Sequence, residues 1–520
     1  MTPRLDRRRL LQMFGGTAVL AAGGPVLGQT LFSDYPFSLG VASGEPTADG
    51  FVIWTRLAPS PLEIGGGMVM QPVPVSWEVA SDEAFRTKVA EGTEAARPEL
   101  GHSVHVEVSG LQPARPYWYR FSVGRERSGA GVARTTVRAG QPLRRVRLAA
   151  AGCQHYEAGL YTAYRHLSEE DDLDFVFHYG DYIYEGRGAA ASRSREGVTT
   201  ATSRRHLGQE LYSLDDYRRR YAQTRTDLDL QAAHAAAPWF VTFDDHEVDN
   251  NWAADVEQDG APVDAFRLRR AMAWQAWWEN MPVRRAMLPT LGRIAMHRRA
   301  QFGDLMTANF MDTRQYRSDQ PCGDGFRPTC PGATAPAATM LGAEQERWLF
   351  DDLGRRGPRW NLLAQQVMVT RLDRRRSQDT EAEPILNIDS WAGYEAPRRR
   401  LLKRAARHGS TVILTGDEHQ NFANEATDQD GRIAATEFVA TSISSGGDGR
   451  DLRAGTEAML ARNPNCKLIN DQRGYLVCEV TPERWRTDFR VVDRITTPGG
   501  AISTRASFAV APGRPGLQAA

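Results

Sequence analysis

Five short apolar runs between residues 146 and 415, most of them ending in a polar turn, constrain this chain more than any other feature. The runs are 146–151, 175–179, 240–243, 360–364 and 412–415. Each is too short and too continuously apolar for an amphipathic helix, and helical segments separate them. They predict strands of a buried sheet covered by helices. Open α/β sheets place ligand sites at the carboxyl ends of their strands, and ligand-type residues follow most of these ends. They are Gly152-Cys153-Gln154-His155, Gly180-Asp181-Tyr182-Ile183-Tyr184, Asp244-Asp245-His246-Glu247 with Asn250-Asn251, and Gly416-Asp417-Glu418-His419. Singly, each has a bland reading. Gly-Asp after a strand is often a turn, Asp-Asp-His can be an N-cap, and a lone cysteine is more often buried than reactive. Four such segments at sheet ends argue for shared chemistry.

Ahead of this region, residues 37–140 alternate with period two in short stretches at 51–54, 73–79, 105–108 and 117–123. That pattern predicts a β-sandwich of roughly a hundred residues. The stretch Leu111-Gln112-Pro113 leading to Tyr117 resembles the region before a late strand in fibronectin type III modules, where a tyrosine secures a corner. At 520 residues the chain is too long for one compact core. The expected division is an export signal at 1–30, an all-β fibronectin type III-like domain at 31–141, a catalytic domain at 142–495 and a C-terminal tail at 496–520.

Arg7-Arg8 stands just before Leu10-Leu11 and a small, apolar run to Leu27 that is too short to span a bilayer. It resembles a twin-arginine signal, which implies the twin-arginine export machinery as a partner and a periplasmic or secreted mature protein. No later run is long and apolar enough for a transmembrane anchor. Lys+Arg and Asp+Glu both total 64, so no global field recruits nucleic acid. In an oxidising compartment five cysteines cannot all pair. Cys322 with Cys330 across a Gly/Pro-rich loop, and Cys466 with Cys478, are the natural pairs, and Cys153 is left over; other pairings stay open. The stretch 186–203, rich in small and polar residues, is a surface loop or lid. Trp274, Trp277 and Trp278 have the spacing of a core-facing helix, and the Arg374-Arg375-Arg376 and Arg398-Arg399-Arg400 runs read as solvated faces.

The four segments together resemble the PhoD-like alkaline phosphatases of the calcineurin-like metallophosphoesterase superfamily. Ser43-Gly44-Glu45-Pro46, Met311-Asp312-Thr313-Arg314-Gln315-Tyr316-Arg317 and 361–366 support it in the same order along the chain. The resemblance implies an α/β metallophosphoesterase-type sheet sandwich covered by helices, acting on small-molecule phosphate esters, monoesters first and diesters as further substrates. It makes Asp181 the carboxylate bridging two metals. Cys153, Tyr184 and His419 then hold Fe3+, and Asp245, Asp417 and Asn250 hold Ca2+. It implies in-line attack at phosphorus by iron-bound hydroxide, with His246 as acid or hydrogen-bond donor and Arg314 as a phosphate clamp. It assigns no role to His155. Two other readings are a phospholipid-cleaving phosphodiesterase and a non-enzymatic surface protein in which the metals are structural.

Overall fold

The computed structural model describes residues 32–188, 204–290, 292–353, 357–375 and 382–520. The export signal at 1–30 and most of the 186–203 loop lie outside the described residues. Two large sheets pack face to face. The first has ten strands, in the order Arg514–Ala519, Ile502–Ala511, Trp485–Val492, Arg473–Val480, Val146–Ala151, Phe175–His178, Pro238–Val241, Val41–Gly44, Phe51–Arg56 and Ser103–Val108. The second has seven: Arg298–Phe302, Met306–Phe310, Trp360–Ala364, Thr411–Thr415, Ile433–Val439, Asn421–Thr427 and Cys466–Asn470.

Side chains alternate across a strand, so each central strand serves two cores. Val146, Leu148, Ala150, Phe175, Phe177 and Phe240 face the second sheet, where they meet Phe302, Phe310, Leu362 and Leu414. Ala149, Ala151, Val176, Trp239 and Val241 face outward beneath helices. One of those is Val263–Asn280, whose Trp274, Trp277 and Trp278 are buried, so the tryptophan spacing marks a packed face. Leu363 and Ile413 turn the other way, under Gly342–Leu353 and Glu395–His408. The outcome is a sheet sandwich with helices on both outer faces, and the parallel strands of both sheets end on the same side.

Three expectations need correction. The N-terminal β-rich region is not a separate sandwich. Its strands Val41–Gly44, Phe51–Arg56 and Ser103–Val108 belong to the ten-stranded sheet, Val41–Gly44 running parallel to Pro238–Val241. A second sheet of Val73–Ala80, Lys88–Ala96, Pro116–Val123, Glu126–Arg127 and Gly131–Arg134 packs on them through Ile53, Val75, Val106, Tyr119 and Phe121. Tyr117 does secure a corner: its hydroxyl donates to Gln112 O (3.1 Å) and accepts from Gln112 N–H (3.0 Å). Second, the tail at 496–520 is not a tail, because Ile502–Ala511 and Arg514–Ala519 are strands of the large sheet. Third, Cys466 and Cys478 are free and buried; only Cys322–Cys330 is bonded among the described residues. Cys478 lies 3.4 Å from Thr487 Oγ1 within one sheet, whereas Cys466 sits in the other. The arginine runs are also less solvated than their composition suggests, since Arg374 pairs with Glu418 (2.5 Å) and Arg398 is buried against Glu395 (3.4 Å).

Candidate metal centre

All four candidate segments converge beyond the carboxyl ends of parallel strands from both sheets, and glycines permit their close approach. Tyr179, at the end of its strand, lies flat between Gly152 and Gly416. A Cβ at Gly152 would stand 2.4 Å from its ring, and one at Gly416 would stand 2.1 Å away. Gly180 has φ +127, and a Cβ there would meet Asp244 N at 2.4 Å. The glycines before Cys153, Asp181 and Asp417 are therefore a requirement of packing.

Several candidate ligands are themselves strained. Among the described residues, four of the eleven non-glycine positions with positive φ are Cys153 (52), Asp181 (56), Asp417 (66) and His419 (51). Such backbone costs on the order of 1 kcal/mol or more per residue and persists only where the surroundings over-determine it. Here they do. Cys153 N–H donates to Gly180 O and Gln154 N–H to Asp181 O, both at 3.0 Å. The buried Glu247 carboxylate accepts from Asp181 N–H (3.1 Å), Tyr182 N–H (2.7 Å) and Asp244 N–H (2.9 Å), stapling two turns together.

Side chains from separate turns meet as a result. Cys153, Asp181 and His419 each present a ligand atom within 4.8 Å of the others, as do Asp181, Asp245 and His246, and Asp244, Asp245 and Asp417. Asp181 belongs to two of these groups, the position a bridging carboxylate needs. The Tyr184 hydroxyl donates to Asp181 Oδ2 (2.9 Å), lies 3.2 Å from His419 Nε2 and 2.6 Å from Ser445 Oγ. His246 stands at the open side, its Nδ1 2.7 Å from Glu185 Oε2 and its ring 4.1 Å from that of Tyr184.

Two expected residues sit differently. Asn250 uses its side-chain amide on Gln258 Oε1 (2.5 Å), and its backbone N–H donates to Glu185 Oε1 (2.9 Å). Arg314 is fully buried and already committed: Nε donates to Asp244 Oδ1 (2.6 Å), Nη1 lies 2.8 Å from Asp389 Oδ2 and Nη2 3.8 Å from Asp245 Oδ1. Its surroundings make it a positioning cation for carboxylates, and the phosphate-clamp expectation is corrected. Sequence reasoning did not assign Asp244, Glu185, Glu247, Asp389 or Ser445. Ser445 carried a signal, because Ser444-Ser445-Gly446-Gly447 follows the end of another parallel strand, Ile433–Val439.

The electrostatics match a cation-binding purpose. Burial pushes the Cys153 thiol well up, and Asp181, Asp417 and Asp244 add to it. Burial and neighbouring carboxylates likewise raise Asp181 and Asp417, while burial raises Asp244 in spite of Arg314. For Asp245 burial is outweighed by Arg314 and His246, so it stays ionised. For His246 burial opposes protonation, but Glu185, Asp245 and Asp181 win and hold its pKa well above the usual range. Asp181 Oδ1 and Asp245 Oδ1 are buried and have no hydrogen-bond partner. Orphaned carboxylate oxygens beside a thiol, a phenol and an imidazole are a donor set for multivalent cations, so the residues present fit metals here.

Comparison with known proteins agrees with this geometry. The family model described as PhoD-like phosphatase matches residues 148–489, and the model for its N-terminal domain matches residues 23–137. The chain belongs to the PhoD-like phosphatase family. It is 46% identical to alkaline phosphatase D of Bacillus subtilis (strain 168), across 99% of this chain and 89% of that protein. A solved structure titled as that of PhoD superposes with a TM-score of 0.89 at 47% identity, covering 94% of this chain and 92% of its own. This PhoD-like chain is accordingly a phosphoric ester hydrolase.

Proposed function

We propose that the protein is an exported alkaline phosphatase acting on phosphomonoesters, with phosphodiesters as further substrates, on a metallophosphoesterase-type sandwich preceded by a fibronectin-like strand set. The supporting observation is the pair of ligand groups that share Asp181 at the open end of the two sheets. Fe3+ would be held by Cys153, Asp181, Tyr184 and His419, since thiolate and phenolate are anionic donors suited to a ferric ion. Ca2+ would be held through oxygen by Asp181, Asp245 and Asp417, with Asp244 beside them. Bound cations would neutralise the ester's charge and make water more acidic.

The chain's own groups do the remainder. His246, kept protonated by Glu185, presents a hydrogen bond toward the transferring phosphoryl group or a proton to the leaving oxygen. Arg314 and Glu247 hold the ligand carboxylates and turns in place so that the acidic groups need not reorganise when the ester arrives. Dialysis against chelator followed by ferric iron and calcium should abolish and restore hydrolysis of an aryl phosphate; activity indifferent to metal would defeat the assignment. Comparing mono- and diester rates sets substrate preference. Export is tested by Arg7→Lys with Arg8→Lys, which should retain the precursor inside the cell.

A further inference from the structure

A second group of ligating side chains lies beyond Tyr184 from the centre just described. His155, Glu157 and His206 each offer one ligand atom within 4.8 Å of the others. The ring of His155 stands edge-on to Tyr184 at 4.6 Å between centroids and 5.1 Å from the ring of His206. Glu157 Oε1 accepts the backbone N–H of His206 (2.9 Å), which ties the two stretches together. Glu157 and His206 are buried. His155 Nδ1 is itself a buried nitrogen with no hydrogen-bond partner, an expensive state for an imidazole unless something else meets it. Arg220 Nη1 lies 3.2 Å from His206 Nδ1, so Nε2 is the nitrogen left for a ligand.

We propose that His155, Glu157 and His206 form a separate site for a divalent transition metal of the zinc type. Two imidazoles and one carboxylate suit zinc or cobalt in tetrahedral geometry. Calcium, which takes six to eight oxygens, is excluded by the same donor set. The site shares no residue with the acidic centre. The positive charge of Arg220 partly offsets the negative charge of Glu157 beside the site.

Cobalt(II) is the probe. Holoenzyme whose iron and calcium content has been measured is titrated with cobalt chloride and followed by visible absorption, then challenged with zinc. One cobalt per chain should bind with the bands of a tetrahedral site, and zinc should displace it. His206→Ala and Glu157→Gln should each weaken binding at least about tenfold while the iron and calcium content stays at the wild-type level. Glu157→Gln retains a carbonyl acceptor for the His206 N–H, so it carries the test if His206→Ala fails to fold. No cobalt uptake by the holoenzyme, or uptake unchanged in the folded variants, would overturn the proposal. Because only additional metal is counted, a failure here is distinct from a failure of the iron and calcium assignment.

Discussion

Glu185→Gln separates the charge of one side chain from its shape. Glu185 Oε2 sits 2.7 Å from His246 Nδ1, and its other oxygen accepts from Asn250 N–H (2.9 Å). Glutamine keeps the second bond and the volume but removes the negative charge that helps hold His246 protonated. A hydrogen bond to a charged group contributes about 1.5–3 kcal/mol. At 1.36 kcal/mol per pH unit, its loss should lower the His246 pKa by about one to two units. The sign follows directly: the histidine loses its proton at a lower pH, so activity that needs that proton fades earlier as pH rises. In kcat–pH profiles for an aryl phosphate, the alkaline limb of the variant should move toward acid by that interval. Below it, kcat should remain within a few-fold of wild type. An unmoved limb, or a uniform fall in kcat at every pH, would refute the coupling of Glu185 to His246.

Arg314→Met takes a buried cation from Asp244, Asp245 and Asp389, the last keeping only Arg317, and should cost about 3–5 kcal/mol, read as a fall in the denaturant midpoint; an unchanged midpoint would contradict its positioning role. Gly416→Ala drives a methyl into the Tyr179 ring and should destabilise the fold by about 1–3 kcal/mol, with partial recovery in combination with Tyr179→Leu; no loss in the single variant would show that the sheets need not approach so closely. Burial depresses His178 to about 3 and His105 to about 4, although His105 Nε2 donates toward the carbonyls of Trp278 and Met281, both at 3.0 Å. Both groups are neutral when folded and protonate more readily when unfolded, so stability is lost as pH falls below about 6.5, by about 2 kcal/mol each at pH 5. Unfolding midpoints at pH 7.5 and pH 5 should show this, and His105→Asn should reduce the difference; a pH-independent midpoint would contradict it.

The candidate turns were legible in the sequence because each couples a short apolar strand to an anionic or imidazole side chain, three of them through a glycine, and both patterns are local. Cys153, Asp181, Tyr184, Asp245, Asp417 and His419 are candidate ligands on that basis together with the family resemblance, and the structure brings their side chains together. Partnerships made only by tertiary approach were not legible. Glu185 is known by the histidine it faces, Asp389 by a buried arginine, and Glu247 by three backbone N–H groups from two turns. Arg314 illustrates the limit from the other direction: its sequence context fits a phosphate clamp, but nothing in the sequence says that three carboxylates occupy it. The cysteine pairing failed for a similar reason, because proximity to a turn says nothing of which sheet a strand joins.

The single ladder that runs from Ser103–Val108 through Pro238–Val241 to Arg514–Ala519 makes the strands Val41–Gly44, Phe51–Arg56 and Ser103–Val108 and the last twenty residues parts of one mechanical body. Severing the chain near residue 141 would expose the hydrogen-bonding flank of Pro238–Val241, the strand that leads directly into Asp244 and Asp245. Trimming or replacing the front piece would therefore disturb the floor beneath the acidic cluster.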